Sequence, residues 1–174
     1  MKTELKFALL AVGLLVAWTL LAWQAGWHER DFAIAQRGKF VAVAAFALSL
    51  WLAVRARREG AQGGFLRFGE GFETGLRVSV IAAFLSGGWN VFYGQVLNPG
   101  WLARAWDWQK AGLLATGVTK EELGRHEAIA TASQLPVFQL VLEPIRTAIM
   151  GLILSAAIAA LLRRKDPNAP EEPR

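Results

Sequence analysis

Apolar positions in this chain are gathered into long uncharged runs set off by basic residues. The first runs from Phe7 to Trp27, with Lys2 and Lys6 before it and His28, Glu29 and Arg30 after it. At 1.5 Å of rise per residue such a helix covers about 30 Å, the thickness of a bilayer's hydrocarbon layer. A secretory signal peptide shares this layout. Placing Ala25 last, however, puts bulky Trp23 where cleavage needs a small residue. More apolar runs follow, so the segment reads as a retained signal anchor.

Phe40 to Val54 is shorter and is framed by Lys39 and by Arg55, Arg57 and Arg58. Long cationic stems lengthen its usable span by keeping their charges at the interface. Val78 to Leu97 follows Arg77 and stops at Asn98-Pro99, and residues 136–162 are apolar except for Glu143, Pro144 and Arg146. No reversal fits between Glu143 and Arg146, so the last run is one span. The pattern predicts an all-α fold, an integral membrane four-helix bundle. Its single membrane domain covers 1–165, with spans near 7–27, 38–56, 76–97 and 136–162. Residues 166–174 read as a disordered tail.

Lys2, Lys6, Arg55, Arg57, Arg58, Arg67, Arg77, Arg163, Arg164, Lys165 and Arg174 fall on one side of these spans. Arg30, Arg37, Lys39, Arg104, Lys110, Lys120 and Arg125 fall on the other. Eleven against seven places both termini on the cytoplasmic side, by the enrichment of Lys and Arg in inner loops. The chain then reads as a multi-pass protein of a cytoplasmic membrane.

The long outer connection carries helix signals. Asn98-Pro99 reads as a cap followed by a first helical residue. Trp101, Leu102, Ala105, Trp108 and Leu113 recur at amphipathic spacing. Gly117 stops that helix, and Thr119-Lys120-Glu121-Glu122 is a capping box for another. Helices over 99–116 and 120–133 are expected, as a hairpin on the outer face. On the inner side, Phe65, Phe68, Phe72 and Leu76 share a helical face, so the third helix should start near Phe68–Gly71. Glu73 stands four residues before Arg77, the favourable order for an ion pair.

Phe-Leu-Arg-Phe-Gly-Glu-Gly-Phe-Glu-Thr-Gly at 65–75 leads straight into a span. Asn98-Pro99, Trp101-Leu102, Gly117 and Thr119-x-Glu121-Glu122-Leu123 follow in order before the last span and its basic end. In this order and spacing the chain resembles the bacterial membrane proteins of domain-of-unknown-function family 4199, over nearly its whole length. The resemblance implies four spans and assigns no activity, cofactor or catalytic residue.

Composition sharpens the picture. Of 174 residues 54% are hydrophobic and 19% charged, with net charge +5 and mean hydropathy +0.31. In a soluble protein that basic excess would point to nucleic acid; beside apolar runs it points to a membrane surface, and no nucleic-acid partner is expected. Zero cysteines exclude disulfides, thiolate metal sites and thiol nucleophiles. His28 and His126 have no metal spacing, no serine sits in a nucleophile elbow, and the glycines at 63–75 form no phosphate loop. No enzyme, cofactor or metal is expected.

Two constellations remain. Glu143 and Arg146, at i, i+3 beside a helix-bending Pro144, lie at a depth similar to Asn90, Tyr93 and Gln95. Together they form a candidate intramembrane polar site between the third and fourth spans; the plainer alternatives are a structural Glu143–Arg146 pair that snorkels outward and locks helix packing, and interhelical hydrogen bonding by Asn90, Tyr93 and Gln95. Gly71, Gly75, Ser79 and Ser86 make one small-residue stripe, and Thr147, Gly151, Ser155 and Ala159 another. Such stripes predict direct packing of these two spans. A non-enzymatic accessory or scaffold subunit acting through helix packing is the leading expectation. A small-solute or ion transporter or channel using the polar site is the alternative, and lipid binding by the tryptophan-rich outer helix is a third idea. The bilayer is the expected partner, with a homo-oligomer or another membrane protein left open.

Overall fold

The computed structural model describes residues 2–60 and 63–164, and the expected tail at 166–174 lies outside them. They form six α-helices: α1 Lys2–Gln24, α2 Phe32–Gly60, α3 Phe68–Phe92, α4 Trp101–Ala115, α5 Lys120–Ser133 and α6 Pro136–Leu162. A five-residue π-helical turn, Tyr93–Leu97, extends α3. α1, α2, α6 and α3 with its π turn are long and apolar enough to cross a membrane.

Helix ends follow local chemistry. Asp31 Oδ1 accepts from Ile34 N at 3.1 Å, so α2 begins at Phe32 and takes Arg37 and Lys39 into the helix. The expected span at 38–56 is therefore the apolar middle of a 29-residue helix. α3 starts at Phe68, and Glu73 and Arg77 pair at 2.5 Å along it. Thr119 and Glu122 form the expected reciprocal cap of α5. Gly117, at φ 76°, takes the left-handed turn after α4 that other residues resist. One expectation needs correction: Asn98 and Pro99 do not open α4. Its cap is Gly100 at φ 79°, and the Asn98 side chain is engaged elsewhere.

α3 is the central element. It packs most extensively on α6 and also touches α1 and α2, while α1 meets α2 and α2 meets α6. At one end of the molecule Leu66 and Arg164 exchange two backbone hydrogen bonds of 3.0 Å, joining the approach to α3 with the end of α6. The α1–α2 turn, the π turn, α4 and α5 lie toward the opposite end.

Residue size is inverted relative to a water-soluble core. Small side chains such as Ala8, Ala11, Ala53, Ser79, Ala82 and Ala159 are buried, while Phe84, Phe40 and Leu161 are about two-thirds or more exposed. In water this arrangement would forfeit most of the hydrophobic driving force. In lipid it costs nothing, because acyl chains solvate large apolar groups and small residues let helices approach.

The α3–α6 seam shows that approach directly. A Cβ on Gly75 would stand 2.7 Å from Ser155 Cβ, one on Gly71 3.2 Å from Ala159 Cβ, and one on Gly87 3.0 Å from Pro144 Cγ. Gly151 lies so close to Ser79 that any side chain there would overlap it. The Ser79 hydroxyl donates to Gly75 O of its own helix at 2.8 Å, so this seam residue is polar without needing a partner across the interface.

Candidate functional site

The polar groups that the structure assembles are not the set expected from depth alone. Tyr93 is 1% exposed and sits at the start of the π turn, where the Asn98 N–H donates to Tyr93 O at 2.8 Å. Widened turns of this kind recur at functional sites, because one extra residue redirects the side chains around it. Here the turn points the Tyr93 phenol between His28 of the α1–α2 turn and Asn98.

The hydrogen-bond directions follow from donor chemistry. Arg104 can only donate, and its Nη2 meets Asn98 Oδ1 at 2.5 Å. The Asn98 amide nitrogen must therefore donate, and it does so to Tyr93 Oη at 2.9 Å. The phenol proton is then left for His28 Nδ1, 2.5 Å away. His28 accepts at Nδ1 and so is the neutral tautomer carrying its proton on Nε2. Burial favours this state, lowering the His28 pKa below its ordinary value of 6.5. One relay, Arg104 to Asn98 to Tyr93 to His28, thus ties α4, the π turn and the α1–α2 turn together.

Aromatic rings enclose the relay. The Trp101 indole stacks on His28 at 5.4 Å between centroids and meets Tyr93 at 5.7 Å. Trp23 approaches Tyr93 edge-on at 6.3 Å, and Trp89 lies 6.0 Å from it. Gln139 of α6 is buried beside Gly94, the residue after Tyr93. Its amide nitrogen donates to Ser133 O at 3.2 Å, and its buried oxygen and the Trp101 nitrogen each lie close to Gly94. This arrangement can hold a histidine neutral and latch three segments. Among the described residues no group of His, Asp or Glu is placed to bind a metal.

The expected polar site is divided by the structure. Tyr93 belongs to the relay, Asn90 is half-buried one turn before it, and Gln95 is exposed. Glu143 and Arg146 pair with each other at 3.0 Å, with the Arg146 side chain 65% exposed and that of Glu143 33%. Nine residues separate Arg146 from buried Ser155, so at about 100° per residue Arg146 points opposite to the α3-facing side of α6. It faces away from the α3–α6 seam. Of the stripe residues, Gly71, Gly75, Ser79, Gly151, Ser155 and Ala159 meet in the seam. Ser86 is buried with its hydroxyl on Ala83 O, and Thr147 is half-buried.

His28, Asn98, Arg104, Trp101 and Gln139 were absent from the expected site. Residue type gave a weak signal, since histidine, asparagine and tyrosine recur near the ends of adjacent runs. Their convergence depends on the π turn and on the α4 approach, neither of which has a sequence period.

Fold and site define the class: an all-helical protein with four helices fit to cross a membrane and a buried polar latch at one end. The chain belongs to the family described as Protein of unknown function (DUF4199), which it matches over residues 6–164. No curated protein and no solved structure matches it.

Proposed function

We propose that this protein is a multi-pass bacterial inner-membrane subunit that works by helix packing, as a non-enzymatic accessory or scaffold component. The four long helices form a bundle with both termini cytoplasmic, and α4 and α5 form an amphipathic hairpin at the outer interface. The observation that carries this reading is the α3–α6 seam. Where a transporter would need a path between these helices, Gly75 meets Ser155 and Gly151 meets Ser79 at backbone distance. The hairpin suits an interfacial position, since Trp108, Leu114 and Ile129 are exposed beside the Lys110–Glu127 and Arg125–Glu121 ion pairs.

Two experiments test it. Cysteine in place of Gln109 should react with an impermeant maleimide from outside the cell. Cysteine in place of Gln62, which lies outside the described residues, should react only after lysis; the reverse pattern inverts the topology. For the role, the purified chain in proteoliposomes is compared with Glu143→Gln and Arg146→Met for ion and small-solute flux. No flux above protein-free vesicles supports the scaffold. A flux that either variant abolishes, with helicity retained, replaces the scaffold with a transporter.

A further inference from the structure

We infer that the face of α6 carrying Arg146 is the contact surface for a second copy of this chain, with the Glu143–Arg146 pairs of the two copies meeting at one depth. The inference rests on the reading of α6 as a span of a membrane scaffold and names that scaffold's partner.

Arg146, Ile149, Met150, Ile153 and Leu161 are all exposed, on the side of α6 turned away from buried Gly151, Ser155 and Ala159. An apolar strip of this kind would ordinarily be a lipid face. The ion pair makes it unusual. α6 has 27 residues and is about 40 Å long, which leaves about 5 Å beyond a 30 Å hydrocarbon layer at each end. Glu143 stands about 10 Å along the helix. Arg146 reaches back one turn to it, so a helix centred on that layer and upright in it places both charges within the hydrocarbon. A guanidinium has five N–H donors, and bare donors in lipid carry a desolvation cost. Among the described residues, Glu143 is the acidic partner of Arg146, through one 3.0 Å bond.

Whatever covers this strip must present both an acceptor and a donor at this depth while matching its apolar flanks. A zwitterionic pair is its own complement. A two-fold axis along the membrane normal places Glu143 and Arg146 of a second copy at the same level, so each guanidinium can bridge both carboxylates in a neutral four-charge cluster. The contact is isologous and closes at two copies. Charge complementarity thus selects the same chain as occupant.

The absence of cysteine makes this directly measurable in membranes. In full-length chain in native vesicles, Ile153→Cys should oxidise to a disulfide-linked dimer. Leu152→Cys, exposed but about 120° around the helix from Arg146, should remain monomeric. Glu143→Arg or Arg146→Glu in the Ile153→Cys background should each reduce cross-linking to the Leu152→Cys level. Co-expressing these two reversals should restore it, because one copy then supplies the carboxylates and the other the guanidinia. An Ile153→Cys chain that resists water-soluble maleimide yet never cross-links overturns self-association and leaves the membrane reading standing. One that reacts readily with that reagent overturns both. A product of heterodimer mass, or a cross-link insensitive to both reversals, also overturns the proposal.

Discussion

The two ends of α3 are held by opposite means. Toward the Leu66–Arg164 bridge it lies against α6 through glycine, serine and alanine, and closeness comes from the side chains that are missing. At the π turn it is held by some of the largest residues available, Tyr93 among Trp23, Trp89 and Trp101, around a directed chain of hydrogen bonds. The first mode depends on volume. The second depends on protonation and donor count. One helix therefore has an end held by the absence of side-chain volume and an end held by a hydrogen-bonded relay that includes a titratable histidine.

The largest effect should come from volume. Gly151→Val forces a side chain into Ser79, and such overpacking costs about 1–3 kcal/mol or more. Thermal unfolding in detergent should fall accordingly. Gly112→Ala, in α4 with nothing within 4 Å of the new methyl, should instead stabilise slightly, because alanine is the better helix former. Equal effects of the two would dissolve the contrast between tight and open glycines.

Tyr93→Phe tests the other end. It removes the hydroxyl that accepts from Asn98 and donates to His28, and a buried unpaired group costs about 1–3 kcal/mol. Hydrogen exchange of the α1–α2 turn should speed up while the seam stays protected. Loss of protection along the seam instead would show that the ends are not separate units.

His28 is neutral in the fold, with its pKa lowered by burial. The unfolded chain therefore binds the proton first as pH falls. The stability that this group contributes is complete above its ordinary value of 6.5 and declines as pH drops through that value toward the folded pKa. Protonation would also set an imidazolium N–H against the phenol proton and bring a second positive charge toward Arg104. Melting temperature followed from pH 8 to 5 should fall in the wild type and flatten in His28→Gln. A smaller, local change should follow Thr119→Ala, which removes the α5 cap at a cost of about 1 kcal/mol. Exchange within α5 should rise with the relay untouched.

Much of this architecture was legible in the chain. Three uncharged runs, and a fourth interrupted by Glu143 and Arg146, mark the four long helices, because a helix that meets lipid must be apolar over most of its length. Thr119 with Glu122 announced the start of α5, and the spacing of Gly71, Gly75, Gly151 and Ser155 announced which helices approach. The Asp31 cap was present in the sequence but hidden by the charges of Arg37 and Lys39, which made the first turn of α2 look like loop. The relay was not legible. Asn98 is a good helix cap by type, and only tertiary structure reveals that its amide is committed to Tyr93 and Arg104. Glu143 and Arg146 pair as their spacing predicts, and the outward-facing alternative for them agrees with the exposed Arg146 side chain; choosing it over an inward site depends on which face of α6 the seam consumes.

α3 and α6 meet at backbone distance along a closed seam. This approach is tested most directly by cysteines replacing Gly71 and Ala159, whose Cβ positions lie 3.2 Å apart, close to the separation of about 3.5–4.5 Å that a disulfide spans. In intact membranes mild oxidation should close this bond within one chain and in nearly all molecules, visible as a faster-migrating band that reductant abolishes. Free thiols at both positions after oxidation, in a chain that remains helical, would contradict the seam and the account built on it.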